Sequence, residues 1–203
     1  MKKVIFLIFC ISFFSCSSNK FFIPGEKEAQ IENISIEYFN IAEEYLNQKN
    51  YTKAIQYYKL AMKSDSLFNA SYYKLGRCYA LNKDYKNALS VYENILKNDP
   101  GNSTIKSSIA YLYAVNNNPK KALDIYSALL VENPNNEEVL VNYISILIFQ
   151  KDFETAKVNL NFLEEKFPSN KNIALFKSLI KVNINDSSLP YIFYFFQDLL
   201  LMQ

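Results

Sequence analysis

Catalysis needs side chains that exchange protons, attack substrates or hold metals, and this chain is poor in them. It has no histidine and three cysteines, so it can build neither a histidine-dependent zinc site nor a Ser-His or Cys-His nucleophile. Its three glycines supply no glycine-rich loop for phosphate. The acidic pairs Glu43-Glu44, Glu137-Glu138 and Glu164-Glu165 are adjacent in the chain. Neighbours on a helix do not face one another, so these pairs read as solvated faces rather than paired carboxylates. No catalytic residue, metal site or cofactor is expected. An enzyme working through Glu43 and Glu44 is the remotest of the readings.

One cysteine has chemistry of another kind. Lys2 and Lys3 precede an apolar run from Val4 to Phe14, and Ser15-Cys16 follows. A charged start and a short apolar core are the marks of a secretory signal peptide. The run falls short of the roughly 20 apolar residues that span a bilayer. Phe13-Phe14-Ser15-Cys16 puts a large apolar residue at minus three, a small one at minus one and cysteine at plus one. That arrangement resembles the lipobox of bacterial lipoproteins, with Phe13 where leucine is usual. The resemblance implies that residues 1–15 are removed and that Cys16 becomes the acylated N-terminus. Acyl chains, at about 0.8 kcal/mol per buried CH2, would then hold the chain on a membrane. The expected location is a bacterial envelope, facing the periplasm. The alternative is a non-lipidated form, secreted or periplasmic. Cys10 lies in the leader and Cys78 stands alone, so there is no disulfide framework. Cys78 reads as a small buried hydrophobe.

The elements that must position any binding site follow a period of 34 residues. Alanines recur at Ala54, Ala88, Ala122 and Ala156, and prolines at Pro100, Pro134 and Pro168. Asn50, Asp84, Asn118, Asp152 and Asp186 recur in the same register, and all are residue types whose side chains cap helix N-termini. Pro119, directly after Asn118, suits a first helical position. Small residues pair as Ala42 with Ala54, Gly76 with Ala88 and Ala110 with Ala122, which lets two helix backbones cross closely. The clearest unit is residues 69–102, with Tyr72, Leu75, Gly76, Tyr79, Ala88, Tyr92 and Pro100. It resembles the tetratricopeptide repeat, W-x2-L-G-x2-Y…A-x3-F…P, with tyrosine for the Trp and the Phe.

The resemblance implies an all-α, right-handed α-solenoid of antiparallel helix pairs. Its repeats span 35–68, 69–102, 103–136 and 137–170, and 171–203 form a degenerate fifth with an apolar C-terminal helix. Residues 16–34 read as the lipidated cysteine and a tether. In the fourth repeat Ile144 takes the close-crossing position. In the fifth, Pro190 replaces the alanine, which a helix starting near Ser187 or Ser188 tolerates in its first turn. Half the residues are hydrophobic and 16% aromatic, enough for stacked helix pairs.

The resemblance also implies a concave groove lined by positions two, five, nine and twelve of each first helix. These are Ile36, Phe39, Glu43 and Leu46; Ala70, Tyr73, Arg77 and Ala80; Thr104, Ser107, Tyr111 and Ala114; and Glu138, Val141, Ser145 and Ile148. Phe39, Glu43, Tyr73, Arg77 and Tyr111 are the candidate partner-binding residues. The occupant expected is a protein or peptide segment with apolar side chains. The competing role for the aromatic ones is packing between repeats. Without Lys2 and Lys3 the 22 basic residues fall to 20, against 20 acidic ones, and no basic run marks a nucleic-acid surface. Residues 189–202 read LPYIFYFFQDLLLM, apolar on nearly every side of a helix. Tyr191, Phe193, Phe195, Phe196 and Leu200 are therefore candidates for a second interface, to another copy as a homodimer, to a partner or to the membrane surface; the competing reading is that Phe21-Phe22-Ile23 or a rearranged fourth repeat covers them. The leading expectation is a lipid-anchored adaptor that mediates protein–protein interactions in an envelope complex. It resembles the repeat lipoproteins that serve outer-membrane protein or pilus assembly. A self-associating structural protein is the alternative.

Overall fold

The computed structural model describes residues 25–182, so Cys16 and the stretch 189–202 lie outside the described residues. Among those described, the chain forms nine helices and no strand. They are α1 (Glu26–Asn47), α2 (Tyr51–Ala61), α3 (Asp65–Leu81), α4 (Tyr85–Asn98), α5 (Ser103–Val115), α6 (Pro119–Glu132), α7 (Glu137–Phe149), α8 (Phe153–Lys166) and α9 (Ile173–Val182). Each helix packs on the next in sequence, and α1, α5 and α7 also touch α3, α7 and α9 respectively. This is an all-α solenoid of stacked helix pairs.

The turns within pairs show why these residues fold this way. Lys49, Lys83, Asn117 and Lys151 adopt left-handed backbone, with φ of 58–63°. That kink lets the amides of Asn50, Asp84, Asn118 and Asp152 donate to the carbonyls of Tyr45, Tyr79, Tyr113 and Leu147 at 2.8–2.9 Å. The first helix is thereby closed. The same four residues then start the second helix. Their side chains accept from the amides of Lys53, Asn87, Lys121 and Thr155. Asn102 and Asn136 cap α5 and α7 in the same way, two caps that the 34-residue register of the other turn did not bring out.

The crossings are as close as the small residues require. Ala42, Ala54, Ala88, Ala110, Ala122 and Ala156 are fully buried. At Gly76 a Cβ would lie 2.7 Å from Cε1 of Tyr92 and 3.0 Å from Cγ1 of Val91, so only glycine fits without displacing that ring.

The N-terminal face of the described array mixes polar and apolar side chains, with Ile34 51% exposed on the stripe that carries Glu37, Ile41 and Glu44. Glu37, Asn40 and Glu44 of α1 are exposed. The residues one repeat later on the Glu37 and Glu44 positions, Ser71 and Cys78, are buried against the preceding pair. Ile41 is 36% exposed where its counterpart Leu75 is 5% exposed. At the other end, Ala174, Ser178 and Lys181 of α9 are exposed. They stand where α7 sets Leu140, Ile144 and Leu147 into the core shared with α8.

One boundary differs from the expectation. Residues 26–34, read as tether, are the first turns of α1. The hydroxyls of Ser64 and Ser66 donate to the Glu32 carboxylate, tying this overhang to the start of α3. Those two bonds, Ser64 first, hold the Glu32 carboxyl below its usual range. Helix α3 itself starts early, at Asp65, since Ser66 stands where later repeats have a closing proline.

Candidate binding groove

The concave sides of α3, α5 and α7 meet around a cavity of about 180 Å³. Tyr73 and Arg77 reach it from α3, Thr104, Ser107 and Tyr111 from α5, and Glu138 and Asn142 from α7. Its floor comes from the second helices, as Tyr92 of α4 and Tyr126 of α6. The Tyr73 and Tyr92 rings lie 6.0 Å apart at 41°. The buried Tyr126 hydroxyl donates to the Ser107 carbonyl at 3.2 Å. Burial pushes the phenols of both Tyr92 and Tyr126 well above their ordinary range, so they stay neutral donors.

Two polar groups in this cavity are poised for a ligand. Among the described residues, Arg77 has no carboxylate within ion-pair distance. Asn142 is 4% exposed and lies beside the Tyr126 hydroxyl. Its Oδ1 has no hydrogen-bond partner among the described residues. An acceptor buried without a partner costs about 1–3 kcal/mol. A guanidinium and an orphaned amide oxygen between aromatic walls can receive an acidic group and an N–H donor. They provide no activated nucleophile. Among the described residues no cluster of three Cys, Asp or Glu side chains comes together to hold a metal.

The structure brings Tyr73, Arg77 and Tyr111 together and uses Phe39 and Glu43 elsewhere. Phe39 packs edge-on against Tyr58, with centroids 5.6 Å apart. Glu43 accepts from the Tyr58 hydroxyl and from Lys74 Nζ, so it bonds the first repeat to the second. Tyr92, Tyr126 and Asn142 were missed by the groove register. The two tyrosines belong to second helices, and Asn142 sits at position six, which that register assigns to no groove. No spacing in the sequence singles it out.

The tetratricopeptide-repeat family matches residues 39–103 and again residues 80–140. No curated protein matches the chain. Among solved structures, the chain is similar to a tetratricopeptide repeat protein from Parabacteroides merdae. The TM-score is 0.62 at 21% identity, covering 82% of this chain and 66% of that one. MamA from Desulfovibrio magneticus RS-1 aligns with TM-score 0.61 at 17% identity, over 83% of this chain and 96% of that one. YrrB, described as a TPR protein with an unusual peptide-binding site, aligns with TM-score 0.54 at 20% identity, over 87% and 95%. Likeness at such identities speaks to fold alone. With two overlapping family matches that together run from residue 39 to residue 140, and turns, crossings and caps that repeat in one register, the chain belongs to the tetratricopeptide-repeat family.

Proposed function

We propose that the chain is a lipid-anchored adaptor of a bacterial envelope, holding a segment of a partner protein in the cavity between α3, α5 and α7. The observation that carries the groove is the pairing of Arg77 with the orphaned Oδ1 of Asn142 inside aromatic walls. A passing segment offers an acidic group to the guanidinium and a backbone N–H to the amide oxygen. Aromatic residues and arginine dominate binding hot spots. YrrB, similar in fold, is described as having a peptide-binding site, which supports the same kind of occupant here. The anchor rests on the leader and on Cys16.

The test is a triple variant, Tyr73→Ala with Arg77→Ala and Tyr111→Ala, used to recover partners from solubilised membranes. The variant stays helical by circular dichroism and loses the partner, with affinity down at least roughly tenfold. Recovery of the same partner at wild-type yield would move the interface elsewhere.

A further inference from the structure

The cavity has a neighbour. Tyr73 of α3 and Thr104 of α5 line it on one side and line a wider, open cleft of about 810 Å³ on the other. The two follow one another along α3, the cleft from Phe68 to Tyr73 and the cavity from Tyr73 to Leu81. Clefts that hold ligands run to roughly 300–1,000 Å³. The cavity alone, at about 180 Å³, falls short of that, and the adjoining cleft supplies the missing space.

Phe68 breaks the repeat register. In the repeats that follow, its position holds Asn102, Asn136 and Asn170, of which the first two cap α5 and α7. Because α3 starts early, at Asp65, Phe68 lies inside that helix. Its ring stacks on Tyr72, with centroids 5.6 Å apart at 26°, yet the residue stays 42% exposed. Ile95 of α4 and Ile105 of α5 complete the apolar side of the cleft. The polar rim bonds within itself. Asn94 Nδ2 donates to the Tyr72 hydroxyl at 3.2 Å, Lys97 Nζ to Asn94 Oδ1 at 3.1 Å and Asn102 Nδ2 to Asp99 Oδ2 at 2.9 Å. Asn69 and Asn98, which also line the cleft, are exposed to water. What the cleft leaves bare is the Phe68 ring. The corresponding cleft between the starts of α7 and α9 is lined instead by Asn133, Asn136, Glu137, Asn170 and Lys171.

We infer that the partner segment runs out of the cavity, past Tyr73 and Thr104, and lays an aromatic or large aliphatic side chain against Phe68. The inference rests on the groove occupant proposed above and adds its second anchor and its spacing. Phe68 precedes Arg77 by nine residues (77 − 68), about 13 Å along a helix at 1.5 Å per residue. An extended chain advances about 3.3 Å per residue and turns alternate side chains to one face. Four residues of such a chain cover about 13 Å and bring both side chains to the same face. The segment is therefore extended, with its acidic residue and its apolar residue four positions apart.

The probes are fluorescein-labelled peptides of glycine and serine carrying one Glu and one Phe, two to six positions apart and in both orders. They are titrated with the full chain in detergent and read by fluorescence anisotropy. In one of the two orders, a spacing of four should bind at least roughly tenfold more tightly than three or five. Phe68→Asn should erase that preference and leave the weaker binding that depends on Arg77. The spacing series is read on the wild-type chain, so it does not depend on how that variant folds. Equal affinity at every spacing, or a preference that survives Phe68→Asn in a folded variant, would overturn this inference. The groove occupant would still stand if Arg77→Ala weakened binding. No binding by any peptide, or binding indifferent to Arg77→Ala, would overturn the occupant and this inference together.

Discussion

Cys78 is a reactive residue type made inert by its place between helices. Burial first, then the negative charge of Glu43, pushes its thiol up to about 12, with Arg77 and Lys74 pulling weakly the other way. The thiolate is the nucleophile, so at pH 8 the folded protein should react with iodoacetamide far more slowly than the same protein in urea. Equal labelling in both would show that Cys78 is accessible. The sign of the linked stability follows. A thiol with a folded value raised above 9.0 stays protonated when the unfolded one has already ionised. Its stabilising contribution is complete below pH 9 and falls as pH rises towards 12. The raised phenols of Tyr58, Tyr92 and Tyr126 act in the same direction. The urea midpoint should therefore decline steadily on the alkaline side.

Elements in this chain are joined by turns that accept a strained residue. Lys83 and Lys151 sit in left-handed backbone at φ 61° and 63°, with their side chains exposed. Such backbone costs an L-residue roughly 1–2 kcal/mol, a penalty glycine escapes. Against that stands the greater freedom of glycine in the unfolded chain, about 0.4–1 kcal/mol. Lys83→Gly and Lys151→Gly should each stabilise by about 0.5–1 kcal/mol in thermal melts. A lowered melting temperature in both would mean that the lysines contribute something other than the kink. The crossings have the opposite tolerance. Ala88 and Ala122 are fully buried between paired helices. Ala88→Leu and Ala122→Leu should each cost roughly 1–3 kcal/mol by overpacking. Unaltered melts would place the tight contacts elsewhere.

On the scale of the whole molecule, stability and attachment are separate matters. The solenoid holds itself by contacts between neighbouring helices. Attachment to a membrane is proposed for Cys16 alone. Cys16→Ala should abolish incorporation of a labelled fatty acid and leave an unprocessed precursor of higher mass. Incorporation equal to wild type would remove the lipid anchor from the proposal.

The sequence by itself determined the repeat, because its determinants are local. Asn50, Asp84, Asn118 and Asp152 bond amides only three residues away. The alanines fix a crossing within one pair, so a fixed period reveals them without coordinates. It read residues 26–34 as tether rather than as the start of α1, because the bonds that hold that start run from Glu32 to Ser64 and Ser66, across two helices. The groove was legible only in outline. Arg77 and Glu43 share position nine, yet Glu43 is occupied by Tyr58 and Lys74 while Arg77 lines the cavity. The difference lies in which side chains the adjoining repeats present. Tertiary structure likewise chose Asn142, a position with no periodic mark, as the buried acceptor beside Tyr126. A register specifies which face of a helix a residue occupies. Whether its polar atoms are already satisfied there depends on contacts between repeats, and only the folded stack decides those.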